Sequence, residues 1–122
     1  MAEYLQGHEK IAWVQYCGLP GDKYYALGQK YLPNGSCGVV SFGVKGGRAA
    51  AEAFMGRLKI AAIETHVADA RTCCLHPASS THRQMNAEEL KAAGVAEDLV
   101  RYSCGLEDTE DLIADLAQAL AD

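Results

Sequence analysis

The stretch "LVRYSCGLEDTEDLIADLAQAL", residues 99–120, joins a two-residue periodicity to a helical one across a short turn. Residues 99–104 read as a strand, whose alternation puts Val100, Tyr102 and Cys104 on one face. Leu99, Arg101 and Ser103 then point the other way. A helix capped by Asp108 or Thr109 follows, with Leu112, Ile113, Leu116 and Leu120 as one apolar stripe. Asp108, Glu110 and Asp111 fall in its first turn, where the helix dipole favours negative charge. An apolar stripe and an apolar sheet face each need a partner, and a helical layer on a sheet satisfies both.

The rest of the chain supplies more of the same parts. Residues 11–16 are rich in β-formers and stop at the turn cluster Cys17-Gly18-Leu19-Pro20-Gly21. Asp22 is expected to cap a helix reaching about Leu32, which Pro33-Asn34-Gly35 ends. Residues 38–44 form a second strand, and a helix from Gly47 aligns Ala50, Phe54 and Leu58 along one face. Residues 60–63 and 72–75 read as short strands. Asn86 and Glu89 have capping-box spacing, ahead of a helix carrying Leu90 and Ala93 that Gly94 stops. The expected fold is therefore α+β: one two-layer domain over residues 1–122, a mostly antiparallel sheet of four or five strands with helices on one face.

Composition excludes several classes. With 122 residues, 49% of them hydrophobic and 22% charged, the chain can build one core and does not resemble a disordered segment. A net charge of −5 argues against nucleic acid as a partner, and no apolar run is long enough to cross a membrane. The start "MAEYLQGHEK" has neither a basic segment nor an apolar one of signal-peptide type, so a cytoplasmic location is expected. Cys17, Cys37, Cys73, Cys74 and Cys104 are odd in number and irregularly spaced, which fits small buried hydrophobes better than a disulfide framework. A metal-binding domain is the weaker alternative. Adjacent Cys73 and Cys74 leave a strand on opposite faces, and the chain has no C-x-x-C pair.

Arg101 is the residue whose placement asks for an explanation. A guanidinium on the sheet face away from the helices is either a solvated cation or a bidentate clamp for a carboxylate. Periodicity leaves both open. The glycine-rich turn Gly43-Val44-Lys45-Gly46-Gly47-Arg48 matches neither dinucleotide nor P-loop spacing and reads as a tight strand-to-helix connection. Ser79 and Ser80 lie close to His76 and His82, but no nucleophile-elbow sequence surrounds them.

Two motifs in order carry a resemblance. "HPASSTH", residues 76–82, followed by Glu88-Glu89 and Ala93-Gly94-Val95, resembles the HPAS-x-TH segment of the cysteine/methionine-metabolism family of pyridoxal-phosphate enzymes. "RYSCGLED", residues 101–108, resembles that family's R-L-S-V-G-[IL]-E-D motif, and the likeness extends through "VQYCGLPGDKYYALGQKYLP" and "VVSFGVKGGRAA". Among branches, "HVADARTCCLHPASSTHRQM" is most similar to the O-acetylhomoserine sulfhydrylases.

The resemblance implies the C-terminal domain of a longer fold-type I enzyme that replaces the acetoxy group of O-acetylhomoserine by sulfide or a thiol. It implies that the cofactor, pyridoxal phosphate, is anchored by a lysine of a large domain absent from these residues. No cofactor is then expected on this chain alone, nor any catalytic residue. Arg101 falls on the family's arginine for the substrate α-carboxylate, and His66 and Val67 fall on the loop that helps hold it. Ala68 stands where that loop usually has glycine, His66 where Asn or Ser is common, and Cys73-Cys74 replace an aliphatic pair. "HPASSTH" becomes a structural loop beside the active-site wall. The expected partners are the large pyridoxal-phosphate-binding domain and a second copy in a homo-oligomer, a dimer in the first instance. The competing class is a non-catalytic binding or assembly module, or an inactive remnant.

Overall fold

The computed structural model describes residues 1–121. In chain order the elements are α1 (Ala2–Gln6), β1 (Ile11–Gln15), α2 (Tyr25–Tyr31), β2 (Val39–Val44), α3 (Gly47–Arg57), β3 (Ala62–Ile63) and β4 (Cys73–Leu75). A 3₁₀ turn (Pro77–Ser79), α4 (Ala87–Ala92), β5 (Leu99–Ser103) and α5 (Thr109–Leu120) complete the chain. The five strands form one sheet in the order β1-β2-β5-β4-β3. β1–β2, β2–β5 and β5–β4 are antiparallel, while the short pair β3–β4 is parallel.

Register places the core on one face. Val40 pairs with Tyr102 and Tyr102 with Cys74; Phe42 pairs with Val100, and Val44 with Ile11. These side chains meet Ala2 and Leu5 of α1, Ala51, Phe54 and Met55 of α3, and Leu116, Ala119 and Leu120 of α5. Phe42 and Phe54 meet edge to face at 5.8 Å, the arrangement that aromatic quadrupoles favour. Burying such side chains is worth about 1.5–3 kcal/mol each, so this face carries the stability of the fold. The expected two-layer α+β arrangement is present, with α1, α3 and α5 as the helical layer. By contrast, α2 and α4 bury one residue each, Gly28 and Leu90.

Capping follows the sequence closely. Asn86 and Glu89 make a full capping box on α4, and the Asp108 carboxylate accepts the Glu110 N–H at the start of α5. Several boundaries differ. Helix α2 starts three residues after Asp22, because that carboxylate accepts the N–H groups of Tyr16 and Tyr24 and holds a turn. Residues 60 and 61 leave the expected strand because Asp115 of α5 takes the N–H groups of Lys59, Ile60 and Ala61. Helix α1, at five residues, is too short to show a stripe. The thiols also divide: Cys73 and Cys74 are buried, Cys17 and Cys104 are half-buried, and Cys37 is exposed. Burial therefore holds for the adjacent pair and fails for Cys37, which precedes β2 outside the packed layer.

Candidate functional site

The second face of the sheet carries the site. β5 is the central strand, and Arg101 stands there opposite Ser41 of β2 and Leu75 of β4. The residue is half-buried. Nη2 donates to the Thr65 carbonyl at 2.7 Å and to the His66 carbonyl at 3.4 Å. These two acceptors fix the plane of the guanidinium. Nε is buried and has no partner among the described residues. A buried donor left unpaired costs about 1–3 kcal/mol, and a carboxylate is the acceptor that a charged planar fork pairs with best.

The acceptors belong to the connection between β3 and β4, which lies across β5. Every second position from Arg101 onward holds part of it. The Ser103 hydroxyl accepts the Ala68 N–H at 3.0 Å. The Glu107 carboxylate accepts the Thr72 N–H at 2.8 Å and its hydroxyl at 2.7 Å, and the Gly105 N–H donates to that same hydroxyl at 2.8 Å. From the neighbouring position, the Leu106 N–H donates to the Ala70 carbonyl. A Cβ on Gly105 would lie 2.4 Å from the Ala70 oxygen, so only glycine permits this approach. The bonds from Thr72 hold the Glu107 carboxyl below the usual carboxylate range.

His66 joins the site through its backbone. Its carbonyl faces Arg101, while its exposed ring puts Nδ1 3.1 Å from Glu64 Oε2 and 3.8 Å from Asp69 Oδ2. Val67 follows in the same loop and is 50% exposed. Ala68 has φ of 59°, the left-handed conformation that glycine adopts without cost. Arg101 and His66 are thus brought together, and Val67 sits beside them at the loop surface. Thr65 lies in the same loop as His66 and Val67, to which the family resemblance pointed, whereas sequence reasoning gave no role to Ser103, Glu107 and Thr72. The two-residue spacing from Arg101 put Ser103 on the same face; the pairings across 33 to 36 residues had no signal in periodicity.

"HPASSTH" is a buried turn. His76 is 2% exposed, with Nε2 2.7 Å from the Glu97 carbonyl and Nδ1 2.8 Å from Ser79 Oγ. A carbonyl can only accept, so Nε2 carries the proton and Nδ1 receives the Ser79 hydroxyl. The ring ties the 3₁₀ turn to the entrance of β5, and the Ser80 hydroxyl donates to the His76 carbonyl at 2.6 Å. Burial also pushes the Cys74 thiol up to about 12, against the opposing charge of Arg101.

No group of three or more His, Cys, Asp or Glu among the described residues is placed to hold a metal ion, and no helix there is long and apolar enough to cross a membrane. Pyridoxal phosphate needs a lysine inside a closed pocket, with an aromatic ring to stack on it and donors for its phosphate. Lys59 and Lys91 line clefts without an aromatic residue. Lys23 lies beside Asp22 and Tyr24, but the Asp22 carboxylate is taken up by two backbone N–H groups. All three lysines are exposed. None of these lysines lies in a pocket of that kind, and the described residues around them do not form the cofactor's site.

Comparison with known proteins places this geometry. Residues 1–121 match the model of the family described as Cys/Met metabolism PLP-dependent enzyme. O-acetyl-L-homoserine sulfhydrylase 1 of Thermus thermophilus is 45% identical over 121 residues, which cover 99% of this chain and 29% of the relative. Homocysteine synthase of Schizosaccharomyces pombe is 44% identical, with 98% and 28% covered. L-methionine gamma-lyase of Pseudomonas deceptionensis is 41% identical, with 98% and 30% covered. A crystal structure named as an O-acetylhomoserine (thiol)-lyase of Campylobacter jejuni, which contains pyridoxyl-lysine phosphate, superposes with a TM-score of 0.90 at 35% identity. It too is covered only in part, 98% of this chain against 28% of that one. The chain spans less than a third of the length of these relatives, and over that span it belongs to the Cys/Met-metabolism family of pyridoxal-phosphate-dependent enzymes.

Proposed function

We propose that this chain is the C-terminal, substrate-facing domain of an O-acetylhomoserine sulfhydrylase, and that Arg101 binds the α-carboxylate of the amino-acid substrate. The observation that carries this reading is the guanidinium itself: oriented by the Thr65 and His66 carbonyls, half-buried, and under-satisfied at Nε. The His66–Val67 backbone lines the same carboxylate position. The chain's residues bind and orient; the lysine that anchors pyridoxal phosphate belongs to the large domain that completes the enzyme. That domain is the first partner. Self-association, a dimer in the first instance, and a cytoplasmic location belong to the same proposal.

Arg101 orients the amino acid by its carboxylate, an end it shares with every competing amino acid. Discrimination between an acetylated homoserine and a methionine must then come from groups that meet the side chain, and relatives carrying either name lie at similar identity. The test is a titration of the labelled chain followed at the Arg101 side-chain signal. O-acetylhomoserine is expected to move that signal saturably, and 3-aminopropyl acetate, which lacks the carboxylate, to leave it in place. Equal responses to the two compounds would remove Arg101 from substrate binding.

A second reading, a binding or assembly module, draws on helix α2. Tyr24, Leu27, Tyr31 and Leu32 are all exposed along it. Such a stripe is unusual on a free surface, and a partner that covers it serves a catalytic assembly as well as a non-catalytic one.

A further inference from the structure

Ser103 is two residues from Arg101 on the same face of β5, and it is 2% exposed. Its hydroxyl accepts the N–H of Ala68, the non-glycine residue with positive φ among the described residues. A left-handed alanine is disfavoured by roughly 1–2 kcal/mol, so something must hold it there. Thr65 and His66, whose carbonyls orient the Arg101 guanidinium, come three and two residues before Ala68 in the same loop. One hydrogen bond from the strand therefore pins the segment that aims the arginine.

We infer that Ser103 is a positioning residue for the carboxylate site: it fixes the left-handed turn at Ala68 and, through it, the orientation of Arg101. The inference rests on the proposed role of Arg101 for its functional meaning, but the pinning is a property of this chain alone. Other contacts hold the two ends of the connection, at Glu64 and at Ala70 and Thr72, and the exposed His66 ring meets Glu64 and Asp69 within the loop; besides Arg101 itself, Ser103 is the β5 side chain that bonds residues 65–68. Loss of the hydroxyl frees Ala68 to leave the left-handed region. The two carbonyls then swing away from Nη2, and the guanidinium loses its fixed plane.

The experiment uses the ¹⁵N-labelled 122-residue chain and the Arg101 Nε–H correlation, with acetate as the carboxylate probe. In the wild type this signal should exchange slowly with solvent and be displaced from those of the exposed Arg71 and Arg83. In Ser103→Ala the exchange should speed up and acetate binding weaken, each by about fivefold, the equivalent of one net hydrogen bond. Ser103→Thr, which keeps the hydroxyl, should restore both. If Ser103→Ala does not fold, Ala68→Gly is added to remove the strain, and the exchange rate is read in that double variant, where fast exchange is again expected. A folded variant without the hydroxyl, whose Arg101 signal exchanges at the wild-type rate, overturns the inference. Acetate that leaves the wild-type signal unmoved would count against the carboxylate reading instead, while the exchange rates still decide the pinning.

Discussion

Ala68 holds a conformation that its side chain disfavours, and that gives the sharpest test at the level of one residue. With φ at 59° and its N–H tied to Ser103, replacement by glycine removes the steric penalty without removing the bond. Ala68→Gly is expected to raise stability by about 1 kcal/mol, after allowing for the greater freedom of glycine in the unfolded chain. Thermal denaturation measures it, and a lower melting temperature would mean that the turn is not strained. Thiol reactivity is a second residue-level test. At pH 8 Cys37, which is exposed, should react first with a disulfide reagent, and Cys74, buried with its thiol pushed up to about 12, only on unfolding. Arg101 was legible in the sequence because strand alternation alone puts a lone cation opposite the core. The same alternation put Ser103 on that face, but its role was not legible, since a serine there has no preferred reading until its partner 35 residues away is known.

Among the elements, α5 does more than cover the sheet. Asp115 lies on its buried side and accepts N–H groups from three successive residues, Lys59, Ile60 and Ala61. Burial pulls its pKa up, but these bonds and one from Gln118 outweigh that and hold the carboxyl below its ordinary value. A lowered folded-state pKa means stability that is complete above the unfolded value of about 3.9 and lost as pH falls through the folded one. Urea unfolding at pH 7 should therefore show Asp115→Asn destabilised by about 2 kcal/mol, with the difference from wild type shrinking below about pH 4. A difference independent of pH would assign the loss to packing. Helix positions were legible because stripes and caps are local. The length of β3 was not, because a carboxylate more than fifty residues downstream takes the donors that a longer strand would need.

For the whole molecule, one sheet face is committed to the core and the other carries the candidate site. The fold class could be read from periodicity, whereas the role proposed for the second face came through family motifs, because alternation cannot distinguish a solvated arginine from a carboxylate clamp. The exposed Leu27 and Tyr31 lie on α2, and the exposed Tyr24 and Leu32 cap it; this element buries a single glycine, so self-association of the isolated chain is expected. Light scattering at micromolar concentration should give a dimer mass, and Leu27→Asp should shift it to the monomer. The role proposed for Arg101 is to meet the substrate carboxylate in the assembled enzyme. Its most direct test is steady-state kinetics of this chain combined with its large domain, wild type against Arg101→Ala. The expected result is a KM for O-acetylhomoserine raised by roughly tenfold or more, the loss of one or more charge-assisted hydrogen bonds, with the assembly still folded. An unchanged KM in a folded Arg101→Ala assembly would take Arg101 out of substrate binding.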